Sequence, residues 1–156
     1  SEAMVRDQPR FAEIAPKVVD VLAGNVFVAH NAAFDWCFVS AELERAFDKR
    51  PTALTLCTVR LARTLLPHLP RKSLDYVAQH YGVRDAAGRY RLRRDCRHRA
   101  AGDAVVTAHC LLRLLDDAAD RGLTTWGDVE RYSATQRRRA RRRVAMPTST
   151  LDDRTA

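Results

Sequence analysis

Three residues in two short segments have the types and the spacing for metal-assisted acid–base chemistry. Asp35 closes the segment VAHNAAFD, directly after an apolar run, and His98 and Asp103 lie in the segment HRAAGDA. Carboxylates are preferred ligands of Mg²⁺ and Mn²⁺, and a histidine with a reference pKa of about 6.5 is a suitable base near neutral pH. Taken singly, each residue has a simpler interpretation, because an aspartate at a helix start is usually a cap or a solvated residue.

The elements that must position these residues follow from the hydrophobic pattern. Short apolar runs predict strands at residues 26–29 and 53–57. Apolar residues at helical spacing predict helices at residues 9–22 (regular only from about Pro16), 31–48, 59–66, 74–80 and 99–121, and a last short helix that Thr124 or Thr125 caps. Strands separated by helices indicate an α/β fold with parallel pairing. Ligands of such sheets bind beyond the carboxyl ends of the strands, which is where Asp35 lies.

The same pattern predicts which helix faces are buried. In the helix after the first strand, the expected core residues are Phe34, Cys37, Phe38 and Ala41. In the long helix they are Ala104, Val105, Ala108, Leu111, Leu112 and Leu115. Two strands alone make a poor sheet, since three or more are usually needed, so we infer that an element that should complete the sheet is absent from the sequence.

His98 and Asp103 converge only under one condition. Five residues apart on a regular helix, they would point about 140° apart around the axis. They meet if His98 stays in the loop that precedes the helix, and the polar, basic character of residues 84–97 favours such a loop. Arginines within or next to this loop, among them Arg94, Arg97 and Arg99, are candidates to bind the phosphodiester backbone of a single strand, or they only solvate the loop.

Together, VAHNAAFD and HRAAGDA resemble the second and third motifs of the DEDDh 3′→5′ exonucleases, the family of the bacterial DNA polymerase III epsilon subunit and RNase T. The connecting segments TLCTVRLARTLLP and SLDYVAQHYGV resemble those of the family in the same order, and the resemblance covers about residues 4–118. It implies a ribonuclease H-like fold and hydrolysis of terminal phosphodiesters of single-stranded DNA or RNA, of the proofreading or repair type.

The resemblance also implies roles for the three residues. Asp35 matches the acid of the second motif, which acts on the second of two Mg²⁺ or Mn²⁺ ions, partly through water. Asp103 matches the acid of the third motif, a direct ligand of the first ion. His98 matches the general base that takes a proton from the attacking water.

The first motif of that family, Asp-x-Glu on an opening strand, has no match in the sequence. Asp128 and Glu130 have the right spacing, but no buried strand precedes them, and we interpret them as solvated residues of a short helix. We therefore expect a ribonuclease H-like fold that lacks its N-terminal strands and a chain of little or no activity. The alternative is a non-catalytic nucleic-acid-binding module of the same fold, and a third possibility is a piece that mainly docks onto a partner protein.

Composition limits the remaining choices. The 156 residues are 46% hydrophobic and 29% charged, typical of a globular domain. No apolar run approaches the roughly 18 residues of a membrane span and no signal peptide is evident, so we expect a cytoplasmic protein with no membrane partner. The four cysteines form no C-x-x-C pair and are interpreted as reduced thiols, with Cys57 and Cys110 in the core.

The charge defines the domain organisation. Of the net charge of +8, residues 131–156 supply +6 through eight arginines and two aspartates, which suits a phosphate backbone or a solvated tail. We predict an exonuclease domain at residues 1–122, N-terminally incomplete, and a short helix with a basic tail at residues 123–156. The latter segment resembles the linker that joins such exonucleases to a GIY-YIG endonuclease domain, which implies an endonuclease as a partner. The resemblance to the polymerase III epsilon subunit implies a polymerase as the other candidate partner.

Overall fold

A computed structural model describes residues 8–84 and 100–145 of the chain. The strands are β1 (Phe27–Ala29) and β2 (Thr55–Cys57). The helices are α1 (Phe11–Leu22), α2 (Ala32–Phe47), α3 (Thr58–Leu65), α4 (Leu74–His80), α5 (Ala100–Ala119) and α6 (Trp126–Ala145). Two compact units are distinguished, residues 1–115 and residues 116–156. No helix among the described residues is both long and apolar enough to span a membrane.

The sheet of the first unit consists, within the described residues, of β1 and β2 in parallel. Val28 lies opposite Leu56, and the N–H of Phe27 donates to the carbonyl of Leu54 at 2.8 Å just outside the ladder. Helix α2 connects the two strands, so the strand–helix–strand order predicted from the sequence is confirmed.

Helix α1 begins earlier than we predicted. Pro16 lies inside the helix and not at its start. A proline there removes one hydrogen bond to the preceding turn and is normally unfavourable. The turn before it nevertheless forms, and Ala15 is fully buried, so packing of this turn against the rest of the unit offsets the missing bond.

The predicted core face of α2 is wrong. Phe34 and Phe38 are 59% and 60% exposed, and their rings contact each other edge to face with centroids 4.9 Å apart. The buried residues of α2 are instead Ala32, Ser40 and Leu43. The helix is apolar on more than one side, and the packing of α1 and the sheet against it decides which side is covered.

The predicted core face of α5 is wrong for the same reason. Val105 and Leu112 are 52% and 59% exposed, and Leu115 is 43% exposed. The buried face carries Val106, Thr107, Cys110, Leu114 and Ala118. Both faces have apolar residues at helical spacing, so periodicity alone identifies the helix but not its inner side.

The cysteines agree only in part with our prediction. Cys110 is buried in α5, and burial raises the pKa of its thiol to about 11, so it stays protonated at neutral pH. Cys57, at the end of β2, is half-buried rather than a core residue, and Cys37 is exposed.

Helix α6 is longer than the short helix we predicted. It runs for 20 residues through the arginine run instead of ending near Val129. Thr125 caps it: its backbone N–H and hydroxyl donate to Oδ2 of Asp128 at 2.8 and 2.7 Å, and its hydroxyl accepts from the Asp128 N–H. Arginine and alanine are strong helix formers, and arginines near a helix C-terminus are favoured by the macrodipole.

Candidate active site

A cleft of about 550 Å³ lies along β1 and beyond its carboxyl end. Its walls come from four parts of the first unit. They are Phe27, Val28, Ala29 and His30 at β1; Asp35 and Val39 of α2; Leu74 of α4; and Ala100, Asp103, Ala104 and Thr107 of α5. Asp35 and Asp103, which are 68 positions apart in the sequence, therefore face one cleft.

Asp35 reaches the cleft because of a sharp turn between β1 and α2. Asn31 adopts a left-handed conformation with φ 90°, which reverses the chain so that α2 begins at Ala32. Asparagine tolerates this region better than most residues. Asp35 then lies in the first turn of α2, where the helix dipole stabilises a carboxylate.

Asp103 occupies the corresponding place on α5, in the first turn of the helix. Its side chain is half-buried, and its Oδ1 atom is shielded from solvent. Thr107, one turn further along, is 6% exposed and lines the same cleft. The two carboxylates thus enter the cleft from the N-terminal turns of two different helices.

His30 fixes the end of β1 through both of its ring nitrogens. Nε2 lies 2.8 Å from the carbonyl oxygen of Lys72, and Nδ1 lies 2.9 Å from the hydroxyl of Thr58. A carbonyl only accepts, so Nε2 carries a hydrogen, and in the neutral ring Nδ1 accepts from the Thr58 hydroxyl, which also lies 3.4 Å from the carbonyl oxygen of Ala29. Burial lowers the pKa of His30 below 6.5, although the Lys72 carbonyl and the carboxylates of Asp75 and Asp35 favour its charged form. The ring is neutral at physiological pH and holds β1 to α3 and to the segment before α4.

Several predicted site residues lie outside the described residues. These are His98, Arg94, Arg97 and Arg99, so their roles stay predictions. Within residues 8–84 and 100–145 no group of three or more His, Cys, Asp or Glu side chains is close enough to hold a metal ion. Of the predicted acids, Asp35 and Asp103 both line the described part of the cleft.

Sequence reasoning missed the residues that support the cleft. Thr58 and Lys72 contact His30 from 28 and 42 positions away, a separation that no local pattern reveals. Thr107 could have been predicted, because it lies four residues after Asp103 and therefore on the same face of the helix.

The comparison with known protein families agrees with this geometry. The family model described as "Exonuclease" (RNase_T) matches residues 1–111. This chain belongs to the exonuclease family. The assignment brings with it the ribonuclease H-like α/β fold, to which the parallel β1–β2 pair and the surrounding helices conform.

Curated relatives support the same family. The chain is 36% identical over 129 residues to a DNA polymerase III subunit epsilon-like protein of Rhodobacter capsulatus, covering 83% of this chain and 17% of that protein. It is 32% identical over 133 residues to the 3′-5′ exonuclease DinG of Bacillus subtilis, covering 85% of this chain and 13% of DinG. It is 31% identical over 147 residues to a putative bifunctional exonuclease/endonuclease protein of Mycobacterium tuberculosis, covering 92% of this chain and 21% of that protein. The exonuclease-family chain thus spans about a fifth or less of the length of these relatives.

Proposed function

We propose that the chain is a metal-dependent 3′→5′ exonuclease domain that hydrolyses terminal phosphodiesters of single-stranded nucleic acid and releases nucleoside monophosphates. The observation that carries this proposal is the cleft lined by both Asp35 and Asp103 in a chain of the exonuclease family. The position of the cleft, beyond the carboxyl end of a parallel strand, is where open α/β sheets bind ligands.

The donor set fits a hard divalent cation in part. Asp35 and Asp103 offer carboxylate oxygens, the donors that Mg²⁺ and Mn²⁺ prefer, from partly exposed side chains on one cleft. Both would hold metal in this proposal, and the remaining ligands must come from elsewhere. When bound, two such ions supply a hydroxide-like nucleophile and stabilise the charge that develops on the phosphate.

The protein's own groups divide the remaining tasks. His98 is the proposed general base that accepts the proton of the attacking water. His30 is unsuited to that task despite its place on the cleft wall, because both ring nitrogens are engaged by Thr58 and Lys72. Arg94, Arg97 and Arg99 are proposed to hold the phosphodiester backbone of the substrate strand.

The activity of the 156 residues by themselves is proposed to be low. The family resemblance implies four acids, and Asp35 and Asp103 match two of them. An Asp-x-Glu pair on a strand beside β1 would supply the others.

The test supplies that strand. A fusion protein carries, before residue 1, a designed apolar strand with Asp-x-Glu; its controls carry Asn-x-Gln in that strand or Asp103→Asn. The substrate is a 5′-labelled single-stranded DNA or RNA with Mn²⁺, and products are resolved by length. We expect stepwise shortening from the 3′ end by the fusion and at least a hundredfold less by both controls.

Two results would contradict the proposal. Robust cleavage by the unfused 156 residues that Asp103→Asn abolishes would show that the account of the missing acids is wrong. A fusion that binds the strand tightly but does not shorten it would favour the alternative, a non-catalytic nucleic-acid-binding module. The DNA and RNA arms decide which substrate is used.

The wider setting is also part of the proposal. The matched Mycobacterium relative is named as a bifunctional exonuclease/endonuclease, and the match covers 92% of this chain, so it includes part of residues 123–156. We infer that the chain works beside an endonuclease or a polymerase in DNA repair or proofreading in the cytoplasm. Co-purification of an endonuclease or polymerase activity with the tagged chain from its own cells would support this, and its absence would count against it.

A further inference from the structure

The C-terminal helix α6 separates its charges along its axis. Asp128 and Glu130 lie near its start, and from Arg131 to its end at Ala145 the helix has seven arginines and no acidic residue. Arg131 is already paired, since its guanidinium donates to Oδ1 of Asp128 at 2.6 Å. The excess positive charge therefore belongs to the six arginines of residues 137–143.

These six arginines have no acidic neighbour along the helix. The residues three and four positions before and after them include no aspartate or glutamate. Five of their own pairs have that spacing, and like charges at that spacing disfavour a helix. A polyanion bound to the helix would reduce this repulsion.

The positions of the arginines span most of the circumference of the helix. A helix turns by about 100° per residue, so positions 137, 138, 139, 141, 142 and 143 cover an arc of about 240°. The remaining strip holds positions 126, 129, 133, 136, 140 and 144, which are Trp126, Val129, Ser133, Gln136, Ala140 and Val144. Within it Val129 is buried and Trp126 is partly exposed, whereas Arg138, on the basic arc, is exposed. A basic arc this wide suits a partner that surrounds the helix with negative charge on two sides.

The major groove of double-stranded DNA has this property. It is about 12 Å wide, admits an α-helix, and is bordered by a row of phosphates on each side. The arginine guanidinium matches phosphate oxygens with two parallel hydrogen bonds. The major groove of double-stranded RNA is too narrow for side chains to read, and a single strand presents one row of phosphates.

A membrane surface fits less well. Interfacial helices oppose their basic face with Trp, Phe or Leu side chains that enter the lipid. Helix α6 has one such residue, Trp126 at its first position, 44% exposed and about three turns before the arginine run. Between Glu130 and Ala145 it has no Trp, Phe or Leu, and its larger apolar or aromatic residues there are Tyr132 and Val144.

We propose that α6 is a sequence-independent binding surface for double-stranded DNA, carried by the arginines of residues 137–143 and distinct from the cleft of Asp35 and Asp103. It goes beyond the proposed exonuclease function and does not depend on it.

The test is fluorescence anisotropy of a labelled 24-base-pair duplex with the full chain, in EDTA so that cleavage plays no part. Salt is varied from 50 to 300 mM. The test variant combines Arg138→Gln, Arg141→Gln and Arg142→Gln, which neighbour one another on one side of the helix. The matched control, with the same change of net charge, combines Arg10→Gln, Arg60→Gln and Arg63→Gln, all exposed residues of the first unit.

The expected result is a loss specific to the helix. Removing three phosphate contacts lowers the log–log salt slope by about 2.7, since each contact contributes about 0.9 on duplex DNA. Affinity at 100 mM salt falls at least tenfold, while the control changes the slope by less than about 1. Replacing the same three arginines by lysine keeps the slope, which shows that a loss in the glutamine variant reflects charge and not misfolding.

Other outcomes would overturn the proposal. One is an equal loss of duplex affinity in the helix variant and in its control, and another is no binding of the duplex at 50 mM salt. The third is an affinity for duplex RNA, a single strand or anionic phospholipid vesicles that equals the affinity for duplex DNA. The assay contains no divalent metal, so a negative binding result does not contradict the exonuclease proposal. In the same way, a negative cleavage result does not contradict duplex binding by α6.

Discussion

At the scale of single residues, His30 does most to define the site. Its neutral ring lies between the end of β1 and the start of α2. There it contacts Thr58 at the start of α3 and Lys72 in the segment before α4. The Thr58 hydroxyl that it satisfies belongs to a residue that is fully buried. A buried hydroxyl without a partner is costly, so His30 contributes to stability as well as to the position of Asp35.

Replacing His30 by leucine should therefore destabilise the fold. His30→Leu removes the His30 partner of the Lys72 carbonyl and leaves the Thr58 hydroxyl with only the longer contact to the Ala29 carbonyl, at 3.4 Å, which costs about 1–3 kcal/mol of unfolding free energy. Urea unfolding measures this cost. The control His109→Leu, at an exposed position of α5, should change the unfolding free energy by less than about 0.5 kcal/mol. Equal effects of the two substitutions would contradict the role of His30.

His30 also predicts a pH dependence of stability. Because burial lowers its pKa below 6.5 in the folded state, the unfolded chain binds more protons between the folded and unfolded pKa values. The contribution of His30 is thus complete above pH 6.5 and is lost as the pH falls through the folded pKa. Thermal unfolding should be measured at pH 7.5 and 5.5. The difference in unfolding midpoint between the wild type and His30→Gln should be smaller at pH 5.5. A constant gap would show that the ring does not titrate as described.

At the scale of the elements, the turn at Asn31 decides where α2 starts. Its φ of 90° lies in a region that costs most residues about 1–2 kcal/mol and glycine almost nothing. Asn31→Ala should lower stability by about 1 kcal/mol, while Asn31→Gly should be nearly neutral. Denaturant midpoints of the two variants test this, and the opposite order would rule out the left-handed turn.

Adjacent leucines of α5 test which of its faces is buried. Leu114 is fully buried, whereas Leu112 is 59% exposed. Leu114→Ala should cost about 2–5 kcal/mol, because it leaves a cavity, and Leu112→Ala less than about 1 kcal/mol. Each variant is the control of the other in a urea titration. A larger loss in Leu112→Ala would restore the face that the sequence predicted.

The elements also show what the sequence could and could not predict. Helix α4 has the predicted bounds, and β1, β2 and α5 differ by at most two residues at each end, because caps, prolines and periodicity are local signals. The inner faces of α2 and α5 were not predictable, since both helices are apolar on several sides and the choice depends on distant neighbours. That Asp35 and Asp103 line one cleft was predictable from the family resemblance of their motifs, whereas the contacts of His30 with Thr58 and Lys72 were not.

At the scale of the whole molecule, the first unit exposes several large apolar side chains. Phe34, Phe38, Val105 and Leu112 are each more than half exposed, and β1 pairs, among the described residues, with β2 alone. Contiguous exposed apolar surface normally marks an interface. A further strand paired with β1 would add a third strand to the sheet.

The fusion protein described above provides a stability test of that idea. Adding the designed strand should raise the midpoint of thermal unfolding by about 3 °C or more, which corresponds to roughly 1 kcal/mol in a domain of this size. A fusion with the same residues in scrambled order should leave the midpoint unchanged. Equal midpoints for the two fusions would mean that the strand does not pair with β1.

The most direct test of the central claim is calorimetric titration of the 156-residue chain with Mn²⁺. Asp35→Asn and Asp103→Asn are titrated alongside, and Asp20→Asn, at an exposed position of α1, is the control. If Asp35 and Asp103 form half of a metal site, the wild type and the control bind Mn²⁺ weakly, and each of the other two variants loses at least tenfold in affinity. Binding that is indifferent to both substitutions, or no binding at all, would contradict the claim that the two carboxylates form a metal site in this chain.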